Sequence, residues 1–167
     1  NSMKRIFFLS LAALYISALS AQTNRNPDNQ NSATTNVMTF NIRYSTKNDG
    51  INQWDNRREK AIETILTNDA DILGVQEALH SQMIDLKKGL KDYESTGVGR
   101  DDGMEKGEYS PIFYHTKRFT KVKSGYFWLS QSPRKAGSMG WDAANTRIAT
   151  WAKLKDLRSG TVIFVLN

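Results

Sequence analysis

Two short apolar runs, each closing on polar groups, constrain this chain more than any other feature. Val37-Met38-Thr39-Phe40-Asn41-Ile42-Arg43 carries the amide of Asn41 near its end, and Ile72-Leu73-Gly74-Val75-Gln76-Glu77 ends on the carboxylate of Glu77. Apolar runs this short, bounded by polar residues, read as buried strands. As neighbours in one sheet they bring Asn41 and Glu77 out side by side at one edge. A carboxamide beside a carboxylate is an oxygen-rich pair, and it suits a hard divalent cation such as Mg²⁺. The competing reading is that each residue only closes a strand and opens a turn, a place where such side chains are common.

At 167 residues, 39% hydrophobic and 24% charged, the chain is long enough for one globular domain with a substantial core. It has no cysteine, which excludes a disulfide framework and thiolate metal ligation. Its two histidines, His80 and His115, argue against a His-rich zinc site. The formal net charge of +6 falls by two if Lys4 and Arg5 are removed. The remaining excess favours anionic partners without choosing among them. Basic residues are scattered, as in Arg57-Arg58, Lys87-Lys88 and Arg134-Lys135, and form no long stripe.

The start of the chain has a pattern of its own. Asn1-Ser2 stand before Met3 and read as extraneous; Lys4-Arg5 then precede an apolar run, Ile6 to Leu19, flanked by small residues at Ala18, Ser20 and Ala21. That is the layout of a secretory signal peptide over 1–21, so the mature protein is expected to be exported, periplasmic or extracellular. The run is shorter than the ~20 apolar residues that span a bilayer, so no transmembrane anchor is expected. Residues 22–35, rich in Asn, Gln, Ser and Thr with Pro27, read as a disordered linker. The domain is expected over 36–167.

Within it, a strand over 36–42 precedes a polar loop, 44–53, and a helix starting near Asp55 or Asn56, with Asp55 as its N-cap. A strand over 71–76 follows, then a helix with Leu79, Met83, Leu86 and Leu90 on one face. Further strands are expected over 93–98, 111–115, 121–129, 145–155 and 161–166. This order describes an α+β or α/β layered fold with helices covering a sheet. The last run, Val162-Ile163-Phe164-Val165-Leu166, reads as a core strand with nothing after it but Asn167, so a truncated domain with exposed apolar surface is expected.

Five segments in order carry a family resemblance: TFNIRY (39–44), DILGVQE (71–77), GVGRDDGMEKGEYSPIFY (97–114), WDAANTRIATWAKL (141–154) and VIFVLN (162–167). On these the chain resembles the first half of the endonuclease/exonuclease/phosphatase family. The resemblance implies an α+β fold, the DNase I-like layered β-sandwich flanked by helices, incomplete here. It implies that Asn41 and Glu77 hold a divalent metal, Mg²⁺ or Mn²⁺, with Asn41 also part of the catalytic set. Glu108 matches the acidic residue that orients a catalytic histidine, and Arg147 an arginine that contacts substrate phosphate. Arg100, in a Gly-rich loop, is a second candidate for that contact.

The expected activity is therefore metal-assisted hydrolysis of a phosphate ester, the partner being nucleic acid, a phospholipid or a sugar phosphate, with no obligate protein partner evident. The family's later motifs, an Asn-Thr-His run, a Gly-Asp-x-Asn run and an Asp-His pair, do not occur in these residues, so the chain as it stands is expected to be inactive. The alternative is a non-catalytic secreted binding module of the same fold, or an inactive fragment. His80 and His115 match neither catalytic histidine and are expected to be a helix-start and a turn residue. Among the tryptophans, Trp151 is expected to pack, while Trp54 and Trp141 are the candidates for stacking on a ligand.

Overall fold

The two runs that open the sequence argument are neighbours. A computed structural model describes residues 34–167 and places strand β1 (Val37–Asn41) parallel to β2 (Ile72–Gln76), with Asn41 opposite Gln76. The signal-peptide expectation, and the linker as far as residue 33, lie outside the described residues.

Helix α1 (Trp54–Thr67) connects the pair, giving a β-α-β unit with Ala61 and Ile65 buried toward the sheet. Asp55 does not cap it. The capping position falls to Gln53, which makes no side-chain cap bond, because a 3-10 helix over Lys47–Asn52 runs almost directly into α1. That short helix occupies part of the segment expected as a polar loop. Asp55 lies instead in the first turn, where its charge still favours the positive end of the helix.

Helix α2 (His80–Gly89) follows, then β3 (Tyr93–Thr96), β4 (Ile112–His115), β5 (Phe119–Trp128), β6 (Ile148–Asp156) and β7 (Val162–Leu166). They form two sheets, in the orders β1-β2-β4-β3 and β5-β6-β7. Strand β2 shows why its sequence reads as a continuous apolar run. Leu73 and Val75 join the helix-side core with Ile65, Met83, Leu86 and Leu90. Ile72 joins Ile112, Tyr114, Phe119, Ala152 and Leu154 between the sheets. Alternate side chains thus enter two different cores, so both faces must be apolar.

Gly74, on β2, is set by one close approach. An added Cβ there meets Asn167 Oδ1 at 3.0 Å. The Asn167 amide uses the space to donate to the carbonyls of Val75 (2.8 Å) and Pro111 (2.9 Å). One side chain from the end of β7 thereby ties the second sheet to the first.

The opposite end is closed by Arg118, which is 3% exposed. Its guanidinium bonds Asp156 (3.1 Å), Asp71 (3.0 Å), the carbonyl of Thr34 (3.0 Å) and the hydroxyl of Thr35 (3.3 Å). The chain is thus anchored from the last two residues of the expected linker. The outer face of β7 is apolar and open, with Val162, Phe164 and Leu166 each more than half exposed. Trp151 packs as expected, stacked on Phe164 at 5.6 Å between ring centroids. Trp54 does not behave as a ligand platform. It is 2% exposed at the start of α1, and its indole N–H donates to Asp85 at 2.7 Å.

Candidate active site

The C-terminal ends of β1 and β2 open into a cavity of about 250 Å³. It is lined by Asn41, Gln76, Glu77, Arg100, Glu108, Ser110, Thr146, Arg147 and Ile148. All five residues singled out by the sequence, Asn41, Glu77, Glu108, Arg100 and Arg147, therefore meet in one place. Strand pairing does most of this. The parallel β1–β2 register sets Asn41 beside Gln76, and an isolated antiparallel bridge between Ala78 and Tyr109 sets Glu77 opposite Ser110, two residues after Glu108.

At the centre, Asn41 Nδ2 donates to Glu77 Oε1 at 2.7 Å. The other carboxylate oxygen accepts the Tyr44 amide at 3.2 Å, and Asn41 Oδ1 accepts the Arg43 amide at 2.8 Å. Each of these oxygens accepts one hydrogen bond here and has a second lone pair. The backbone is strained at both ends of the pair: Arg43 has φ 59° and Glu77 φ 61°, left-handed values for residues with a Cβ. Such conformations cost on the order of 1–3 kcal/mol each and persist only where surrounding contacts enforce them.

Those contacts are identifiable. Gln82, fully buried in α2, accepts the amides of Ser45 (2.9 Å) and Leu79 (3.1 Å) on Oε1, and donates from Nε2 to the carbonyl of Arg43 (2.9 Å). Arg57 donates to the carbonyls of Ile42, Arg43 (2.8 Å) and Asn52 (2.8 Å). Neither residue figured in the sequence-based site. A glutamine at the third position of a helix is a recognisable capping signal, and it falls on the apolar Leu79–Met83–Leu86 face.

The far wall is built differently. Arg100 Nη1 donates to Glu108 at 2.7 Å, so Glu108 holds an arginine within these residues rather than a histidine. The Trp128 indole donates to the Arg100 carbonyl at 2.6 Å, and the neighbouring Leu129 amide donates to the Arg147 carbonyl at 2.9 Å. The end of β5 thus fixes the backbone of both arginines. Among the described residues, the Arg147 guanidinium has no carboxylate partner within ion-pair distance. Among the described residues, Arg100 Nε and Thr150 Oγ1 are the buried side-chain polar atoms left without a hydrogen-bond partner.

No histidine lines the cavity. His80 Nδ1 lies 3.0 Å from the Tyr109 hydroxyl, which itself donates to the Met104 carbonyl at 2.9 Å. The tyrosine has one proton to give, so the imidazole must donate, and His80 braces the Gly-rich loop. His115 Nδ1 accepts the Lys117 amide at 3.2 Å in the turn after β4. Trp141 is exposed with φ 53° and lines no part of the cavity. A larger hollow of about 580 Å³ lies between β1 and α1, but its cations are committed: Arg43 to Asp49, Lys60 to Glu63 and Arg57 to carbonyls. The Arg43 hydrogen bond also holds the Asp49 carboxyl below the usual range.

The pair Asn41–Glu77 fits a hard divalent cation. Both groups offer oxygen, and Mg²⁺ is commonly held by one or two carboxylates, with waters and substrate phosphate oxygens completing its shell. Among the described residues no cluster of three His, Cys, Asp or Glu converges, so these residues supply only part of such a shell.

Comparison with known proteins agrees with this geometry. No family model matches the chain, and no curated protein does. Solved structures do. An endonuclease/exonuclease/phosphatase from Bacteroides vulgatus is 43% identical with a TM-score of 0.75, over 78% of this chain and 49% of that one. A mannosyl-6-phosphatase from Bacteroides thetaiotaomicron is 38% identical with a TM-score of 0.77, over 80% and 51%. The chain belongs to the endonuclease/exonuclease/phosphatase family. Its two sheets and two helices are the DNase I-like α+β fold. The human Nocturnin catalytic domain, with bound sulfate, shares that fold at 19% identity and a TM-score of 0.61. This chain spans about half the length of the family structures it matches. The family comprises metal-dependent phosphoric ester hydrolases. Among the described residues, no helix is long and apolar enough to cross a membrane.

Proposed function

We propose that this chain carries the metal-gripping half of an exported phosphoesterase. The observation that supports it most is the Asn41–Glu77 contact at 2.7 Å, in the same cavity as Arg147. Asn41 and Glu77 are the residues to hold Mg²⁺, or Mn²⁺ in its place, which supplies Lewis acidity toward a phosphate oxygen. Arg147 is the phosphate anchor, because an unpaired planar guanidinium can bond two phosphate oxygens at once. Arg100, held by Glu108, adds positive charge to the same wall. The hydrogen bonds of Tyr44 and Arg43 to Glu77 and Asn41 keep the pair aligned.

With no histidine in the cavity, the proton-transfer groups these residues offer are the carboxylates of Glu77, assigned to the metal, and Glu108, paired with Arg100. General acid–base catalysis contributes about 10²–10⁴-fold, so the chain alone is expected to be inert. The same gap favours the second reading, a binding module that keeps the metal pair without turnover. For substrate class we favour a sugar phosphate over nucleic acid or phospholipid, on the strength of the mannosyl-6-phosphatase relative. Export rests on Lys4-Arg5, the Ile6–Leu19 run and the small residues through Ala21.

The test is hydrolysis of mannose 6-phosphate, bis-p-nitrophenyl phosphate, sphingomyelin and DNA, with Mg²⁺ and with EDTA. It compares this chain with a protein of the relatives' length containing it. The longer protein should release phosphate from the sugar ester only with metal, and the 167-residue chain should stay at background. Turnover that persists in EDTA contradicts the metal-assisted mechanism. A longer protein that binds Mg²⁺ but hydrolyses nothing favours the binding module.

A further inference from the structure

We propose that Gln82 is the positioning residue that sets the Asn41–Glu77 geometry and, through it, divalent-cation affinity. The inference rests on the metal-binding reading above and extends it to a residue that touches neither metal nor substrate.

Three observations carry it. First, Gln82 is 0% exposed, and its carboxamide reaches the two loops that bear the ligand pair: Ser45 and Arg43 after Asn41, and Leu79 after Glu77. Among the described residues, no other side chain bonds the backbone of both loops. Second, its partners fix the amide's orientation. Two N–H groups face Oε1 and a carbonyl faces Nε2, so a flipped amide would set donor against donor and acceptor against acceptor. Third, each bridged loop holds a left-handed residue with a side chain, Arg43 at φ 59° and Glu77 at φ 61°. Relaxation of either toward ordinary backbone angles rotates the adjoining ligand away from its neighbour. Gln82 opposes both relaxations at once, because its three hydrogen bonds are formed only with both loops in place.

Removal of the carboxamide leaves the Ser45 and Leu79 amides buried or half-buried without an acceptor. The Arg43 carbonyl keeps its bond from Arg57 (2.8 Å), so the loop loosens rather than detaches. Partners of this outer kind, when lost, typically cost about 10–100-fold in metal affinity.

The experiment is a Mn²⁺ titration of the 167-residue chain, free ion being counted by electron paramagnetic resonance, with circular dichroism confirming that each variant is folded. Gln82→Met should weaken Mn²⁺ binding by about 10–100-fold. Gln82→Glu keeps both acceptor functions but sets a carboxylate oxygen against the Arg43 carbonyl, so it too should weaken Mn²⁺ binding. If Gln82→Met does not fold, Gln82→Glu carries the test. Asp156→Asn, which perturbs the opposite end of the sheets, serves as the control and should leave affinity within about twofold of wild type, being remote from the site. The proposal is overturned if Gln82→Met and Gln82→Glu bind as wild type does, or if Asp156→Asn weakens binding as much as they do. Should wild type bind no better than Glu77→Gln, the metal reading itself fails and this proposal with it.

Discussion

The two ends of the sheets are both rich in charge, and they are finished in opposite ways. At the Arg118 end, one buried guanidinium meets two carboxylates, a carbonyl and a hydroxyl. Asp156 there also accepts the Arg158 amide at 2.8 Å. At the cleft end, among the described residues, Arg147 has no anionic partner and Arg100 Nε lacks a hydrogen-bond partner. Buried polar groups are nearly always satisfied where their role is structural. Open capacity at one end, against closure at the other, separates a binding site from a structural tie. Left-handed residues with a side chain occur at both ends, Arg43 and Glu77 at the cleft and Asp69 (φ 47°) beside the Arg118 tie.

Four substitutions or conditions sharpen this contrast. The largest stability effect belongs to Arg118→Ala, which leaves Asp156 buried without its counter-charge and should cost about 3–5 kcal/mol in urea unfolding. A loss under about 1 kcal/mol would show that the closed end is not a tie. Trp128→Phe removes one indole donor from the Arg100 carbonyl and should cost roughly 1–2 kcal/mol. Here the sharper readout is the salt-dependent affinity for inorganic phosphate, which should weaken as the arginine wall loosens. If phosphate affinity holds while stability drops, Trp128 is packing alone.

Acid should act at the closed end as well as at Asp49 and Asp102, whose carboxyls are also held below their ordinary range. The Arg118 hydrogen bond holds the Asp156 carboxyl below its ordinary range. A depressed folded-state pKa stabilises the fold above the unfolded value, about 3.9 for Asp, and that contribution disappears as pH falls through the folded value. Melting temperature should therefore drop below about pH 4, and less steeply in Asp156→Asn. An identical acid slope in the two proteins removes Asp156 from the account. Smallest of all is Trp141→Ala, at an exposed loop position outside the cavity, expected within about ±0.5 kcal/mol of wild type. A larger stability loss would reveal packing that the exposed position does not show.

What the sequence makes legible follows from range. Asn41 and Glu77 stand out because polar groups terminate apolar runs, and strand pairing then places them with few alternatives. Arg100, Glu108 and Arg147 are legible only through the family motifs, since nothing local marks a charged loop residue as part of a cleft. Trp54 misleads because its burial depends on Asp85, a partner thirty-one positions away. Gln82, Asn167 and Arg118 are hidden for the same reason: each works through bonds to segments distant in sequence, the Gln76–Asn167 contact spanning ninety-one positions. The Lys47–Asn52 helix was masked by a composition that reads as loop.

The most direct test of the central claim is a Mn²⁺ titration of this chain against its Glu77→Gln variant, in which one carboxylate oxygen becomes an amide nitrogen. The account predicts saturable one-to-one binding to the wild-type chain, displaced by Mg²⁺, and a loss on the order of 10²-fold or more in the variant, since Glu77 is the carboxylate assigned to the ion while Glu108 is paired with Arg100. Equal affinity in the two proteins, or binding that survives in both Glu77→Gln and Asn41→Ala, would mean that the cation sits elsewhere and that this cleft is not a metal site.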